Sequence, residues 1–561
     1  MKRAQPISGE SFRWKRTIWC CIIPLLSACN FQSIDADMVI HNATILTMDP
    51  SGTIAQAMAV KDGKIVEVGA NRQILNKYAS PQRVDAMGGV LVPGLMDCHA
   101  HFVGYADGLL EADLVGTDSW DEVLDQLILH VQQRPSEWII GRGWDQNDWE
   151  LAEFPTRQQL DSLFPNQPVV LQRIDGHAVI ANRQALEIAG ITGESQFEGG
   201  EVVCDSNGEP TGVLIDVASE AMFAAIPIHD AQMRLDAILE AQRNLFERGI
   251  TSVGDAGLNP PEIRRLEMLQ DSGLLKLRIS AMVSATDSNL QWLLDHGPIK
   301  KERLNVRSMK FYMDGSLGSR GAVLLDPYSD RPEWHGFKIQ DLNWFKGALA
   351  ALESKGLQAA THCIGDSAVR TVLKCYGEVL EGTNDSRWRI EHAQVVAKAD
   401  FPLFRKYTII PSVQPTHATS DMYWAGERLG RNRIRRAYAY KELLEQLGMM
   451  ALGTDFPVED IDPRKTFYAA VARKDASGFP KDGYQPENAI SKEAALKGMT
   501  QWGALAQFQE AELGTLEVGK WADMTWMDRN WLKVDIEDVL ETKIKGTCIA
   551  GEWVYLKSRE Q

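Results

Sequence analysis

Cysteine is scarce in this chain, with 8 in 561 residues and no CxxC pair. Beyond Cys29 the thiols are Cys98, Cys204, Cys363, Cys375 and Cys548, an odd number without paired spacing, so no disulfide framework is expected even in an oxidising compartment. Basic charge is also in short supply. With 59 basic and 76 acidic residues the formal net charge is -17, and a chain of that balance lacks the cationic face that a phosphate backbone requires, which excludes nucleic acid as an expected partner. Internal repeats and low-complexity tracts are missing, which argues against a solenoid. Apart from residues 17–28 there is no long apolar run, and that one is too short to span a bilayer as a helix.

What is present begins with an export segment. Lys2, Arg3, Arg13, Lys15 and Arg16 precede the apolar stretch Thr17 to Ala28, the order of a signal peptide. Its end, Leu26-Ser27-Ala28-Cys29, resembles a bacterial lipobox, in which the cysteine is lipidated and becomes the new N-terminus. Acyl chains on Cys29 would bury methylenes at about 0.8 kcal/mol each. The expected location is therefore an exported lipoprotein anchored in a membrane, and Asn30 after the cysteine points to the outer membrane facing the periplasm.

Residues 37–92 alternate apolar and polar positions, with an Asp62-Gly63 hairpin signal, and residues 512–561 do the same. Two β-rich ends around a long middle imply one small β-sandwich built from both termini, as 29–92 and 512–561. The middle, 93–511, alternates apolar runs with helical periods such as Asp230 to Arg248, the pattern of βα units in a (β/α)8 TIM-type barrel. Candidate strands are Leu91 to Asp97, Val169 to Ile174, Thr251 to Asp255, Leu277 to Val283, Ser308 to Met313, Gln358 to Thr361, Trp388 to Ile390, Thr408 to Val413 and Met449 to Gly453. One exceeds the barrel's requirement, so residues of about 105–225, including Val169 to Ile174, are expected to form an insert after the first barrel strand.

The strand ends carry the chemistry. His99 and His101 sit two apart on an extended segment, which turns both imidazoles to one face as chelation requires. Lys310, His362, His392 and Asp455 follow at later strand ends, on the face where barrel enzymes place their sites. Any one of these residues alone has a bland explanation, since a single HxH is commonly unrelated histidines. Their joint occurrence in order does not. Cys98 and Cys363 flank proposed ligands and should point to the opposite face as packing residues. His177 in the insert, as a catalytic and substrate-contacting group, Trp144, Asp145 and Arg320 are candidate substrate contacts, with Arg320 in a loop opened by Gly315, Gly318 and Gly321. That loop lacks the Gly-Lys-Ser/Thr of a phosphate-binding P-loop.

The stretches PGLMDCHAH, GRGWDQNDW, DGHAVIAN, KFYMDGSLGSRGA, HCIGD, IEHAQ, PSVQPTH and LGTDFPV resemble the amidohydrolase superfamily, specifically the family 3 branch that includes N-substituted formamide deformylases. The likeness covers nearly the whole mature chain. It implies the same barrel-plus-sandwich architecture, with Lys310 on the fourth barrel strand where many members carry an N6-carboxylated lysine bridging two metals.

The implied reaction is metal-dependent hydrolysis of a non-peptide C–N bond in an amide or formamide-like small molecule. One or two divalent cations, Zn²⁺ by the donor set, lower the pKa of water from 15.7 toward about 7. Asp455 takes that water's proton and passes it to the leaving nitrogen. A mononuclear deaminase of the same superfamily is the alternative, but it commonly carries HxxE where this chain has His362-Cys363-Ile364-Gly365. A non-catalytic solute-binding lipoprotein would have no reason to keep all these ligands. The expected partners are a small-molecule substrate, a membrane through the lipid at Cys29, and a second copy of the chain in a homodimer.

Overall fold

Eight parallel strands alternate with helices through the middle of the chain. The computed structural model describes residues 33–557, apart from 147–148, 151–152, 175–177, 198–199 and 228–229. The export segment with Cys29, and His177, therefore lie outside the described residues. The barrel strands are β1 Leu95–Ala100, β2 Ile250–Leu258, β3 Arg278–Ser284, β4 Leu304–Tyr312, β5 Gln358–Cys363, β6 Arg389–His392, β7 Ile410–Val413 and β8 Ala451–Leu452. They lie side by side in sequence order, every neighbouring pair parallel. The ring closes beyond β8, where the Asp455 N–H donates to the His99 carbonyl and the His101 N–H to the Phe456 carbonyl, both at 2.8 Å. This is the expected (β/α)8 barrel.

Residue pattern explains the layers. β2 is buried almost throughout, as a strand covered on both faces must be. The helix after β5, Asp366–Leu380, buries Ala368, Val369, Val372, Leu373, Tyr376 and Leu380, the i, i+3, i+4 stripe of an amphipathic helix laid on the sheet. The helix Ala231–Glu247, which feeds β2, starts where the Asp230 side chain accepts from the Gln232 and Met233 N–H groups. Cys98 and Cys363 are buried thiols that pack rather than face the site.

The two ends of the chain meet in one sandwich. A four-stranded sheet (Lys64–Gly69, Ala57–Lys61, Met38–His41, Gln82–Asp85) faces a six-stranded one in which Met524–Met527 runs antiparallel to Val90–Pro93. Between them lie Met38, Ile40, Ile45, Met58, Leu91, Met524 and Trp526. Each such apolar side chain contributes about 1.5–3 kcal/mol on burial. The single strand expected over 91–97 is thus two. Val90–Pro93 belongs to the sandwich and Leu95–Ala100 to the barrel, with Gly94 between them.

The insert is a six-stranded mixed sheet in the order Ala112–Asp113, Ile139–Trp144, Val169–Arg173, Ala178–Ala181, Pro210–Asp216, Gly200–Cys204. It has a separate apolar core on each face. The preceding helix Phe102–Gly108 buries Phe102, Val103 and Ala106 in the barrel core instead, so the insert's own sheet begins at Ala112. Among the described residues no helix is long and apolar enough to cross a membrane.

Candidate metal centre

The histidines reach the barrel mouth because the strand ends are locked to one another. Asp97, buried on β1, accepts from the His99 N–H at 3.2 Å, from the Thr454 N–H at 3.1 Å and from the Thr454 hydroxyl at 2.7 Å. Burial pushes this carboxyl up to about 7. Residue 453 must be glycine for β1 and β8 to lie this close, since a Cβ there would stand 2.6 Å from the His99 nitrogen.

On that frame His99, His392 and Asp455 present ligand atoms within 4.8 Å of one another, all three residues buried. His101 Nε2 stands 3.1 Å and His99 Nε2 3.4 Å from Asp455 Oδ1. Lys310, 1% exposed, holds its Nζ 3.2 Å from His99 Nε2. The His362 ring lies 4.4 Å from that of His392, centre to centre. His362 Nε2 and Asp455 Oδ1 are buried without a hydrogen bond of good geometry, which is costly unless something else satisfies them. All six positions that the sequence nominates as ligands are therefore neighbours around one point.

Backbone geometry explains how consecutive residues serve one site. A strand sends neighbours to opposite faces, yet Glu391 and His392 both face the centre. His392 has φ +70° and Asp455 φ +65°, left-handed values uncommon outside glycine. Each turns its side chain inward just as its strand ends. Such strain costs on the order of 1–3 kcal/mol and persists where a site needs it.

Two supporting contacts were not nominated by the sequence. Glu391, wholly buried, hydrogen-bonds His99 Nδ1, leaving Nε2 toward the centre. The Arg389 guanidinium in turn holds Glu391, the Cys98 carbonyl and Ser412 Oγ. His392 Nδ1 meets Gln414 Oε1 at 2.8 Å, and the Gln414 carbonyl accepts from the Tyr440 hydroxyl at 2.9 Å. Fixing the outer ring nitrogen is how metal-binding histidines are oriented. His417 is a further neighbour, its Nε2 3.8 Å from Asp455 Oδ2 and its ring stacked 5.8 Å from that of His392.

Electrostatics suits a cation. Burial, with Lys310 adding to it, takes His99 down to about 4 and His362 to about 3, and burial lowers His392 as well. All three imidazoles are thus neutral at neutral pH, the form that binds metal, and the His99–Glu391 contact is a hydrogen bond from a neutral ring. Burial would raise Asp455, but the surrounding histidines, with the His101 hydrogen bond among them, more than offset it and hold its carboxyl below the ordinary range. A set of imidazoles with one carboxylate fits Zn²⁺ in donor type.

The nominated substrate contacts fare differently. Trp144 is completely buried in the insert's core, its indole N–H donating to the Leu171 carbonyl at 2.9 Å, so it packs the insert rather than lining a pocket. Asp145 is ion-paired with Arg173. Arg320 spends its guanidinium on Asp330, at 2.8 and 3.3 Å, an anion it shares with Arg428. In this structure Arg320 is thus held by Asp330 rather than left free for a substrate carboxylate. The glycines nearby serve a chain crossing, for a Cβ on Gly315 would lie 3.2 Å from the Gly321 Cα.

Known proteins resemble this chain over most of its length. The family described as Amidohydrolase family matches residues 82–555. A protein of Arabidopsis thaliana, LONG AFTER FAR-RED 3, is 31% identical over 93% of this chain and 92% of its own. The N-substituted formamide deformylase of Arthrobacter pascens is 25% identical, covering 92% of this chain and 98% of the enzyme. Among solved structures, an uncharacterized metal-dependent hydrolase from Pyrococcus horikoshii OT3 superposes with a TM-score of 0.75 at 27% identity, over 89% of this chain and 99% of that one.

Proposed function

The chain belongs to the amidohydrolase family, and from that premise we propose that it hydrolyses a non-peptide C–N bond, of amide or formamide type, in a small molecule. The observation that carries this reading is the buried cluster of His99, His392 and Asp455 at the C-terminal mouth of the barrel. His101, His362 and Lys310 complete the ligand set, Lys310 as its N6-carboxylated form. Zn²⁺ held there would supply Lewis acidity, which lowers the pKa of a water toward about 7 and polarises a carbonyl.

The chain's own groups do the rest. Asp455, ionised and within reach of His99 and His101, accepts the water's proton and delivers it to the leaving nitrogen. Glu391 and Gln414 hold His99 and His392 in fixed ring orientations throughout. The formamide choice is supported by the deformylase relative, whose length this chain matches almost fully.

A panel of N-formyl amines, N-acyl amino acids, ureido compounds and lactones, offered to zinc-loaded protein, tests the reading. Turnover of a formamide or amide is expected. Asp455→Asn should abolish it while elemental analysis still finds bound metal. Full activity in that variant would remove Asp455 as the base, and no turnover across the panel would remove the amide-hydrolase assignment.

A further inference from the structure

Resting on the metal-hydrolase reading above, we propose that Tyr312 is a catalytic residue: its hydroxyl, with that of Ser284, forms a niche beside Gly257 that hydrogen-bonds the substrate's carbonyl oxygen. Three strand ends converge there. Gly257 is near the end of β2, Ser284 ends β3 and Tyr312 ends β4. A Cβ placed on residue 257 would stand 3.4 Å from both the Tyr312 hydroxyl and Ser284 Oγ. Two hydroxyls from different strands thus point at one spot, and glycine leaves that spot open. Gly257 has φ +120°, a conformation that side chains on L-residues rarely adopt, so the backbone itself keeps it clear.

No hydrogen bond from another described residue occupies the Tyr312 hydroxyl or Ser284 Oγ, so both are free to meet a ligand at the mouth. Both can donate. Tyr312 lies two residues beyond Lys310, on the same face of β4 and one layer nearer the mouth. The Lys310 Nζ sits 4.7 Å from the centre of its ring, and the His362 ring is 5.5 Å away. It is 37% exposed, so a molecule arriving at the mouth can reach it.

Position decides the role. In the ring of eight strands β4 stands across the barrel from β8, and Asp455 follows just beyond the end of β8. A carbonyl held between them has its proton carrier on one side and Tyr312 on the other. As the water oxygen bonds to the carbonyl carbon, the π electrons move onto the carbonyl oxygen, and the Tyr312 hydroxyl donates to that growing charge without giving up its proton. The C–N bond then breaks, and nitrogen leaves with the proton from Asp455. A substrate whose reacting carbon bears an oxygen is therefore favoured over a ring amidine, which offers nitrogen in that place.

The test uses zinc-loaded wild type, Tyr312→Phe and Ser284→Ala. On whichever amide or formamide the wild type hydrolyses, Tyr312→Phe should lower kcat about 10²-fold, the usual loss of one oxyanion donor, with KM within a few-fold and metal content unchanged. Ser284→Ala should lose less. Wild-type kcat in Tyr312→Phe overturns the niche and leaves the hydrolase reading standing, and lost metal or a collapsed melting temperature would make Tyr312 structural. Should the wild type turn over nothing, the hydrolase reading fails on its own. The niche is then judged by calorimetric affinity for acetohydroxamate: tenfold weaker binding in Tyr312→Phe supports it, and equal binding overturns it.

Discussion

A lysine ammonium packed among imidazoles has nothing to recommend it. Lys310 is fully buried, and burial lowers its pKa from the ordinary lysine value, which makes the neutral amine easier to reach. A neutral amine adds to CO₂, forming an N–C bond and releasing one proton, and the resulting carbamate is an anionic oxygen ligand. Lys310→Ala should then lower bound metal by elemental analysis and recover part of it, with part of the activity, on adding formate or acetate. Unchanged metal content in that variant would leave the amine as a bystander. Lys310 was legible from sequence because it sits in order among ligand-bearing strand ends. Glu391 was not, although it is adjacent to His392, because strand alternation puts neighbours on opposite faces. Only the left-handed backbone at His392 brings both to the centre, and no side-chain identity announces that. Trp144 and Arg320 show the opposite limit: an indole and a guanidinium near a site read as contacts, while their partners Leu171 and Asp330 are visible only once the chain is folded.

Elements were legible where periodicity ran long, and boundaries were lost where two sheets share one apolar run. Residues 91–97 read as a single strand because Leu91-Val92-Pro93 and Leu95-Met96 are apolar on either side of Gly94. Gly94 divides them, passing so close to β2 that a Cβ would meet Thr251 Oγ1 at 2.2 Å. Gly94→Ala should therefore destabilise the chain by about 1–3 kcal/mol, the usual cost of overpacking, seen as a lower melting temperature. Thr251→Ala in the same chain should recover part of the loss. An unchanged melting temperature for Gly94→Ala would show that β1 and β2 can part at no cost. At the other end of the barrel β8 is only Ala451–Leu452, shorter than the run of 449–453 suggests, because the chain turns at Gly453 to bring Asp455 inward.

Barrel and sandwich behave as one molecule because charge as well as apolar surface crosses between them. Arg278, the first residue of β3, is 1% exposed, and its Nη2 donates to Asp523 Oδ1 at 3.0 Å, just before the sandwich strand Met524–Met527. Asp523 also accepts from the Ala550 N–H at 2.8 Å, and the guanidinium carbon lies 5.2 Å from the Trp521 ring centre. One carboxylate therefore ties a barrel strand to two parts of the C-terminal segment. Removing one partner of a buried pair leaves the other charge stranded, at about 3–5 kcal/mol, whereas replacing both by apolar groups can be neutral. Asp523→Asn should lower the free energy of unfolding by that order in denaturant titrations, and the double change Arg278→Met with Asp523→Leu should restore much of it. Turnover at 25 °C should hold in both, because Arg278 opens its strand at the N-terminal face while the candidate metal ligands sit at the C-terminal face, where barrel enzymes carry their chemistry. An Asp523→Asn protein as stable as the parent would mean that the apolar contacts of the sandwich alone join the two bodies.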